Sequence, residues 1–66
     1  MKVQKPKLNN ACKMRLVAGL TVIEAADKLG VARATIYDYE KGKSLPNVDK
    51  LARLAKIYNC EIKDLF

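Results

Sequence analysis

The chain has 66 residues, which allows a single domain with a small core. A formal net charge of +6 favours a polyanionic partner, either nucleic acid or an anionic membrane, although a basic domain without a charged partner fits equally well. No apolar run approaches the length of about 18 residues that a membrane span needs, and the polar start does not resemble a secretory signal peptide. We therefore expect a cytoplasmic protein with no membrane partner.

Few residues are suited to metal binding or catalysis. Cys12 and Cys60 form no C-x-x-C pair, and the chain has no histidine. A four-ligand zinc site needs clusters of these two residue types, so we expect no metal and no other cofactor. Neither paired carboxylates nor a nucleophile with a base stands out, which argues against an enzyme and against a small-molecule substrate. We interpret both cysteines as reduced core residues.

The N-terminal part of the chain divides into an arm and a helix. Residues 1–7 are basic, contain Pro6 and lack periodicity, which predicts a flexible arm. From Leu8 onward, Ala11, Cys12, Arg15 and Leu16 follow at helical spacing, so we predict a first helix over residues 8–18. Gly19 then ends that helix.

Two short helices are predicted next. Thr21 and Glu24 form a capping box, which predicts the start of a second helix over residues 22–29. Its residues available for packing are Ile23, Ala25, Ala26 and Leu29. Gly30 suits the position after the helix end, and only a short link precedes a third helix over residues 33–41. On that helix, Ile36, Tyr39 and Glu40 fall on one side.

The remaining chain is predicted to hold a loop, a fourth helix and a final turn. Pro46 places a loop at residues 43–47, and Asn47 is a good N-cap for a helix over residues 48–58. Residues of this helix at core spacing are Val48, Leu51, Leu54, Ala55 and Tyr58. Asn59 suits a left-handed exit, and the last turn holds Cys60, Ile62, Leu65 and Phe66. The prediction is an all-α domain of five short helices over residues 8–66.

Residues 21–40 have the organisation of a helix-turn-helix, because two short helices are joined by a tight turn. The small side chains of Ala25 and Ala26 allow the next helix to cross closely, and Gly30 permits a sharp exit. Any helical hairpin of a small bundle has this spacing. Spacing alone therefore leaves open both DNA binding and a purely structural hairpin.

The stretch GLTVIEAADKLGVARATIYDYEKGKSLP, residues 19–46, is more specific. It closely resembles the Cro/repressor-type helix-turn-helix family, also called the xenobiotic-response-element family. The positions that match the family, both within residues 19–46 and outside them, are Arg15, Gly19, Leu20, Thr21, Ala26, Leu29, Gly30, Val31, Thr35, Ile36, Glu40, Lys41, Gly42, Pro46, Leu51, Leu54, Ala55, Ile62, Leu65 and Phe66. The resemblance covers about residues 8–66. It implies a lambda-repressor-like domain that docks its third helix in the major groove of double-stranded DNA.

The resemblance also implies which residues face the bases, namely Arg33, Ala34 and Asp38. The Arg33 guanidinium can bind both O6 and N7 of guanine, and Ala34 fits a thymine methyl group. Asp38 can accept a hydrogen bond from the cytosine amino group, orient Arg33, or act only against wrong bases. A solvated arginine or a phosphate contact is the alternative for Arg33.

Phosphate contacts are expected from residues that flank the recognition helix and from the start of the second helix, where free amides face outward. These residues are Thr21, Thr35, Tyr37, Lys41 and Lys43. The chain departs from the family at two positions, because Val22 replaces the common glutamine and Ala32 replaces the usual polar cap. Both replacements remove a hydrogen bond to a phosphate.

Arg15 and Glu40 have a structural role in the family, where these positions form a buried ion pair between the first and third helices. The pair would fix the recognition helix and cancel a negative charge near DNA. Two unrelated surface charges are the alternative. The arm lysines, Lys2, Lys5 and Lys7, either follow DNA or stay in solvent, and Lys50, Arg53 and Lys56 are interpreted as a solvated face.

These expectations lead to two functional hypotheses. The first is a sequence-specific transcriptional regulator, a repressor of phage or mobile-element type, that acts as a homodimer on a palindromic site. Ile62, Leu65 and Phe66 either form the dimer surface or only cap the core. The second is a protein-interaction module, such as an antitoxin or regulator partner, that keeps the same fold.

Overall fold

The computed structural model describes residues 10–66, which form four α-helices and one 3-10 helix without any β-strand. The α-helices are α1 (Ala11–Val17), α2 (Val22–Leu29), α3 (Arg33–Lys41) and α4 (Val48–Ile57), and the 3-10 helix spans Ile62–Leu65. The predicted all-α fold is thus confirmed, with a single 3-10 turn as its fifth helix. The arm at residues 1–7 and the predicted helix start at Leu8 lie outside the described residues.

Local capping explains several of the helix ends. Helices α2 and α3 have the predicted bounds, whereas α1 ends at Val17 and α4 at Ile57, one residue earlier than expected in each case. Asn47 caps α4 by accepting a hydrogen bond from the Lys50 amide, and Asn59 adopts the predicted left-handed conformation with φ of 54°. Asn10 precedes α1 without a side-chain cap, and its backbone and side-chain amides instead donate hydrogen bonds to the carbonyls of Leu65 and Phe66. These two bonds join the start of α1 to the end of the 3-10 helix.

The core draws one large side chain from each of the last four helical elements. Leu29, Ile36, Leu54 and Leu65 are fully buried. Helix α2 packs against both α3 and α4, and its two small residues, Ala25 and Ala26, are buried at these contacts. The prediction that small side chains let the helices cross closely agrees with this packing. The other buried members of this core are Ala11, Val22, Tyr39, Ala55 and Tyr58.

Three apolar residues predicted to pack are exposed instead. Leu16 is 63% exposed, Ile23 48% and Val48 79%. The core face of α1 is defined by Ala11 and Arg15, so Leu16 lies about 100° around the helix from it. Ile23 likewise lies about 100° around α2 from the buried Val22. Val48 is the first residue of α4, where its side chain is exposed to solvent. Apolar spacing alone could not select the inward residues.

Gly30 ends α2 in the left-handed backbone conformation, which residues with a side chain adopt only at a cost in free energy. Its φ is 79°, and its amide donates to the Ala26 carbonyl at 2.8 Å. A Cβ atom added here would meet no atom within 4 Å, so the cost of Gly30→Ala is conformational rather than steric. We expect the substitution to lower the free energy of unfolding by about 1–2 kcal/mol. Urea denaturation checks this value, and an unchanged midpoint would contradict the left-handed assignment.

Candidate nucleic-acid interface

A three-residue link fixes the angle between α2 and α3. The amides of Gly30 and Val31 both donate to the Ala26 carbonyl, at 2.8 and 3.0 Å, and Val31 packs against the core. Helix α3 follows at Arg33. This link therefore turns the chain sharply while it leaves the N-terminal turn of α3 exposed to solvent.

The outer face of α3 carries the predicted base-reading residues. Ile36 and Tyr39 are buried, so the opposite side of the helix faces solvent. Ala34 is exposed and Asp38 half-buried, and their spacing of four residues places them on one stripe with the exposed Arg33 beside it. Residues 10–66 form two salt bridges, Arg15–Glu40 and Lys63–Glu61, so Asp38 does not bind Arg33 in this structure.

The N-terminus of α3 has no side-chain cap. Its N-cap residue is Ala32, which offers no oxygen to the first helical amides. An α-helix leaves the amides of its first turn without an intrahelical acceptor. The amides of Arg33 and Ala34 therefore point outward from the same end of the helix as the Arg33 guanidinium.

The start of α2 is capped in the predicted manner. The Glu24 amide donates to Thr21 Oγ1 at 3.1 Å, and the Thr21 amide donates to Glu24 Oε1 at 3.0 Å. Because the Thr21 hydroxyl accepts in this box, its own hydrogen remains available for a phosphate oxygen. The Glu24 carboxylate, however, places a negative charge at the same helix end.

The capping box makes the stability of α2 dependent on pH. The hydrogen bond from the Thr21 amide lowers the pKa of Glu24, with smaller effects from the Thr21 hydroxyl and Lys28. A carboxyl group whose pKa is lowered by folding stabilises the native state above its unfolded pKa, and this stabilisation disappears as the pH falls through the folded pKa. We expect the melting temperatures of the parent and of Glu24→Ala to differ at pH 7 and converge at pH 2–3. A difference that persists at low pH would contradict this account.

An open cleft brings two predicted phosphate contacts together. Thr21 at the start of α2 and Tyr37 on α3 line the same cleft of about 460 Å³. Lys41 and Lys43 are exposed at the other end of α3, where the Lys43 amide donates to the Asp38 carbonyl at 2.9 Å. Thr35 is half-buried beside Ile36. The residues predicted to contact phosphate therefore lie on α3, just after it and at the start of α2, and not on a single helix.

Arg15 connects α1 with α3 through Glu40. Arg15 Nε lies 2.8 Å from Glu40 Oε2 and Nη2 lies 3.4 Å from Oε1, with both side chains about nine-tenths buried. The hydrogen bond to Glu40 raises the pKa of Arg15. Arg15 Nη1 also donates to the Leu20 carbonyl at 2.9 Å, in the turn before the capping box. One guanidinium thus holds both α3 and the loop that leads into α2.

Tyr58, the residue that follows α4, is buried near this ion pair. Its side chain is buried, and burial together with the nearby Glu40 charge raises its pKa to about 12. The phenol therefore stays neutral and adds no charge beside Glu40.

Sequence comparison adds a family assignment to this geometry. The model of the helix-turn-helix family matches residues 13–65. The chain belongs to the Cro/C1-type helix-turn-helix family. It is 41% identical over 54 residues to an uncharacterized HTH-type transcriptional regulator of Archaeoglobus fulgidus, which covers 82% of this chain and 77% of the relative. It is 40% identical over 52 residues to an uncharacterized HTH-type transcriptional regulator of Methanocaldococcus jannaschii, with 79% of each chain covered.

Sequence reasoning missed two features of this helix-turn-helix domain. The first is the hydrogen bond from Arg15 to the Leu20 carbonyl, which depends on the conformation of the turn and which no residue spacing predicts. The second is a weak contact between Arg15 Nη2 and Cys12 Sγ at 3.6 Å, which the spacing of three residues on one helix could have indicated. Cys12 and Cys60 are free and half-buried, and Cys60 packs against the core.

The described part of the helix-turn-helix domain offers neither a metal site nor a membrane span. Within residues 10–66, no three side chains of the metal-ligating types come together. No helix in that range is both long enough and apolar enough to cross a bilayer.

Proposed function

We propose that this chain is a sequence-specific transcriptional regulator that binds duplex DNA by inserting α3 into the major groove. The observation that carries the proposal is the exposed surface of α3, where Ala34 and Asp38 lie opposite the buried Ile36 and Tyr39 and Arg33 is exposed at the start of the helix. A helix presented in this way fits the width of the major groove. The two relatives named as HTH-type transcriptional regulators support the same role.

Each residue on the outer face of α3 has a proposed partner. Arg33 binds O6 and N7 of a guanine, Ala34 contacts a thymine methyl group, and Asp38 accepts from a cytosine amino group. Arg33 makes no ion pair within residues 10–66, so its guanidinium has no competing carboxylate in the described structure. These three residues provide the sequence preference.

The phosphate backbone is held from both sides of α3. Thr21 and Tyr37 approach one strand from their common cleft, while Lys41, Lys43 and Thr35 bind at the recognition helix. Such contacts fix the register of the domain on the duplex and carry no base preference. Arg15 and Glu40 act as positioning residues, since they hold α3 and the loop before α2 in one arrangement.

We further propose a homodimeric repressor of phage or mobile-element type that binds a palindromic site. One domain of this size makes few base contacts, and two-fold pairing doubles them. Ile62 and Phe66 are partly exposed at the end of the chain and offer an apolar surface, whereas Leu65 is fully buried in the core and cannot take part. Repression requires only that the dimer occupy its site.

Selection from a random duplex library tests the proposal. We expect enrichment of a symmetric sequence whose half-sites lie about 10 base pairs apart, with a guanine in each half-site. The affinity for the enriched duplex should fall steeply with salt as counterions are released. If no sequence is enriched and binding does not respond to salt, the chain is better explained as a protein-interaction module.

A further inference from the structure

Tyr37 lies on the outer surface of α3 beside residues that are proposed to read bases. The buried side of this helix is centred between Ile36 and Tyr39. An α-helix advances about 100° per residue, so Tyr37 and Asp38 each lie about 130° around α3 from that centre. Ala34 falls between these two directions. An orientation of α3 that presents Ala34 and Asp38 to the bases therefore presents Tyr37 to them as well.

The core does not require an aromatic ring at this position. Tyr37 is 48% exposed and is not a member of the buried core, whereas Asp38 is half-buried. The tyrosine side chain is also longer than that of aspartate or alanine, so it extends farther from the helix axis. Tyr37 is thus the one large apolar side chain that α3 exposes to solvent.

The base edges of the major groove offer an apolar side chain one kind of partner. Their other groups are hydrogen-bond donors and acceptors, and thymine alone carries a methyl group there. A tyrosine combines an apolar ring with a polar hydroxyl at its tip. The hydroxyl suits the proposed phosphate contact of Tyr37, which leaves its ring to contact a base.

We propose that Tyr37 determines sequence preference by packing its ring against a thymine methyl group while its hydroxyl binds phosphate. This inference rests on the proposed function, because it requires α3 to lie in the major groove. Tyr37 follows Arg33 by four residues, or about 6 Å along the helix. Stacked base pairs are about 3.4 Å apart. The thymine should therefore lie within about two base pairs of the guanine that binds Arg33.

Replacement of thymine by uracil tests this contact, because it removes the methyl group and leaves every hydrogen-bonding group of the base in place. Each thymine in one half-site of the selected duplex is replaced in turn, and the affinity of the parent is measured by titration. We expect binding to weaken by about three- to fivefold at a thymine within about two base pairs of that guanine, which corresponds to the burial of one methyl group.

Two substitutions of Tyr37 separate the ring from the hydroxyl. Tyr37→Phe keeps the ring, so it should keep the ratio of thymine to uracil affinity although it binds both duplexes more weakly. Tyr37→Ala removes the ring, so this ratio should fall towards one at the same thymine. Thymines contacted by other residues should keep their ratio in both variants. The matched control is Leu45→Ala, which removes an apolar side chain of similar exposure, 51%, outside α3 and should leave every ratio unchanged.

The proposal fails if no uracil weakens binding of the parent, or if Tyr37→Ala keeps the parent's ratio at every thymine, because Tyr37 then contacts only phosphate. It also fails if Tyr37→Phe or the Leu45→Ala control loses the ratio to the same extent as Tyr37→Ala. A loss of preference at the guanine alone would show that Tyr37 acts through Arg33 and would likewise overturn it.

The same experiment distinguishes this inference from the proposed function. A parent that enriches a symmetric sequence but gives any of these contrary results still reads DNA, and only the role of the Tyr37 ring is wrong. A parent that enriches no sequence overturns the proposed function, and this inference with it.

Discussion

Arg15→Ala is expected to lower the free energy of unfolding by about 3–5 kcal/mol, because it leaves a buried carboxylate without its partner. Glu40 is about nine-tenths buried, and its oxygens accept from Arg15 at 2.8 and 3.4 Å. The Leu20 carbonyl loses a donor in the same substitution. Small domains have a total stability of about 5–15 kcal/mol, so a large fraction of the molecules should unfold under mild conditions.

Urea denaturation of two further variants isolates the ion pair. Arg53→Ala removes an exposed arginine of α4 and should change stability by less than about 0.5 kcal/mol. The double variant Arg15→Met with Glu40→Met removes both charges and should recover much of the loss, since no unpaired charge remains. If Arg15→Ala unfolds at the same urea concentration as Arg53→Ala, the pair does not stabilise the fold.

Arg33→Ala is expected to weaken binding to the selected site far more than binding to random duplex. A bidentate contact with guanine is worth about 1–3 kcal/mol of discrimination, which corresponds to roughly a 5- to 150-fold loss of preference. Arg33 is the first residue of α3 and is exposed, so the substitution should leave stability nearly unchanged. Titrations of both duplexes with the parent and the variant measure the loss.

Lys43→Ala provides the matched comparison, because it removes a positive charge from a proposed phosphate contact. It should weaken binding to both duplexes by a similar factor and reduce the slope of log affinity against log salt by about one. If Arg33→Ala behaves in this way too, Arg33 binds phosphate and the sequence preference arises elsewhere. If neither variant affects DNA affinity, the basic surface around α3 is only solvated.

The features that sequence predicted well are determined by neighbouring residues. Thr21 and Glu24 complete each other's hydrogen bonds within one turn, so their spacing alone located the start of α2. Asn47 and Gly30 act in the same local way at the start of α4 and the end of α2. The all-α class followed from these boundaries and from the periodicity between them.

The features that sequence could not predict depend on distant parts of the chain. Leu16 and Leu65 are both leucines at helical spacing, yet one is exposed and the other fully buried. Their difference arises because the final 3-10 helix packs against α1 and α4, whereas the cleft that Leu16 lines between α1, α2 and α3 stays open. The Leu20 carbonyl accepts from Arg15 only because of the conformation of the turn, which the spacing of residues does not specify.

Methylation interference tests whether α3 reads duplex DNA through the major groove. Guanine N7 lies in the major groove and is one of the two atoms proposed to bind Arg33. Methylation of N7 at one guanine of each half-site should block binding of the parent, whereas Arg33→Ala should no longer distinguish the methylated duplex at that guanine. The account would be contradicted if methylation at no guanine N7 interfered, or if only methylation of adenine N3 in the minor groove did.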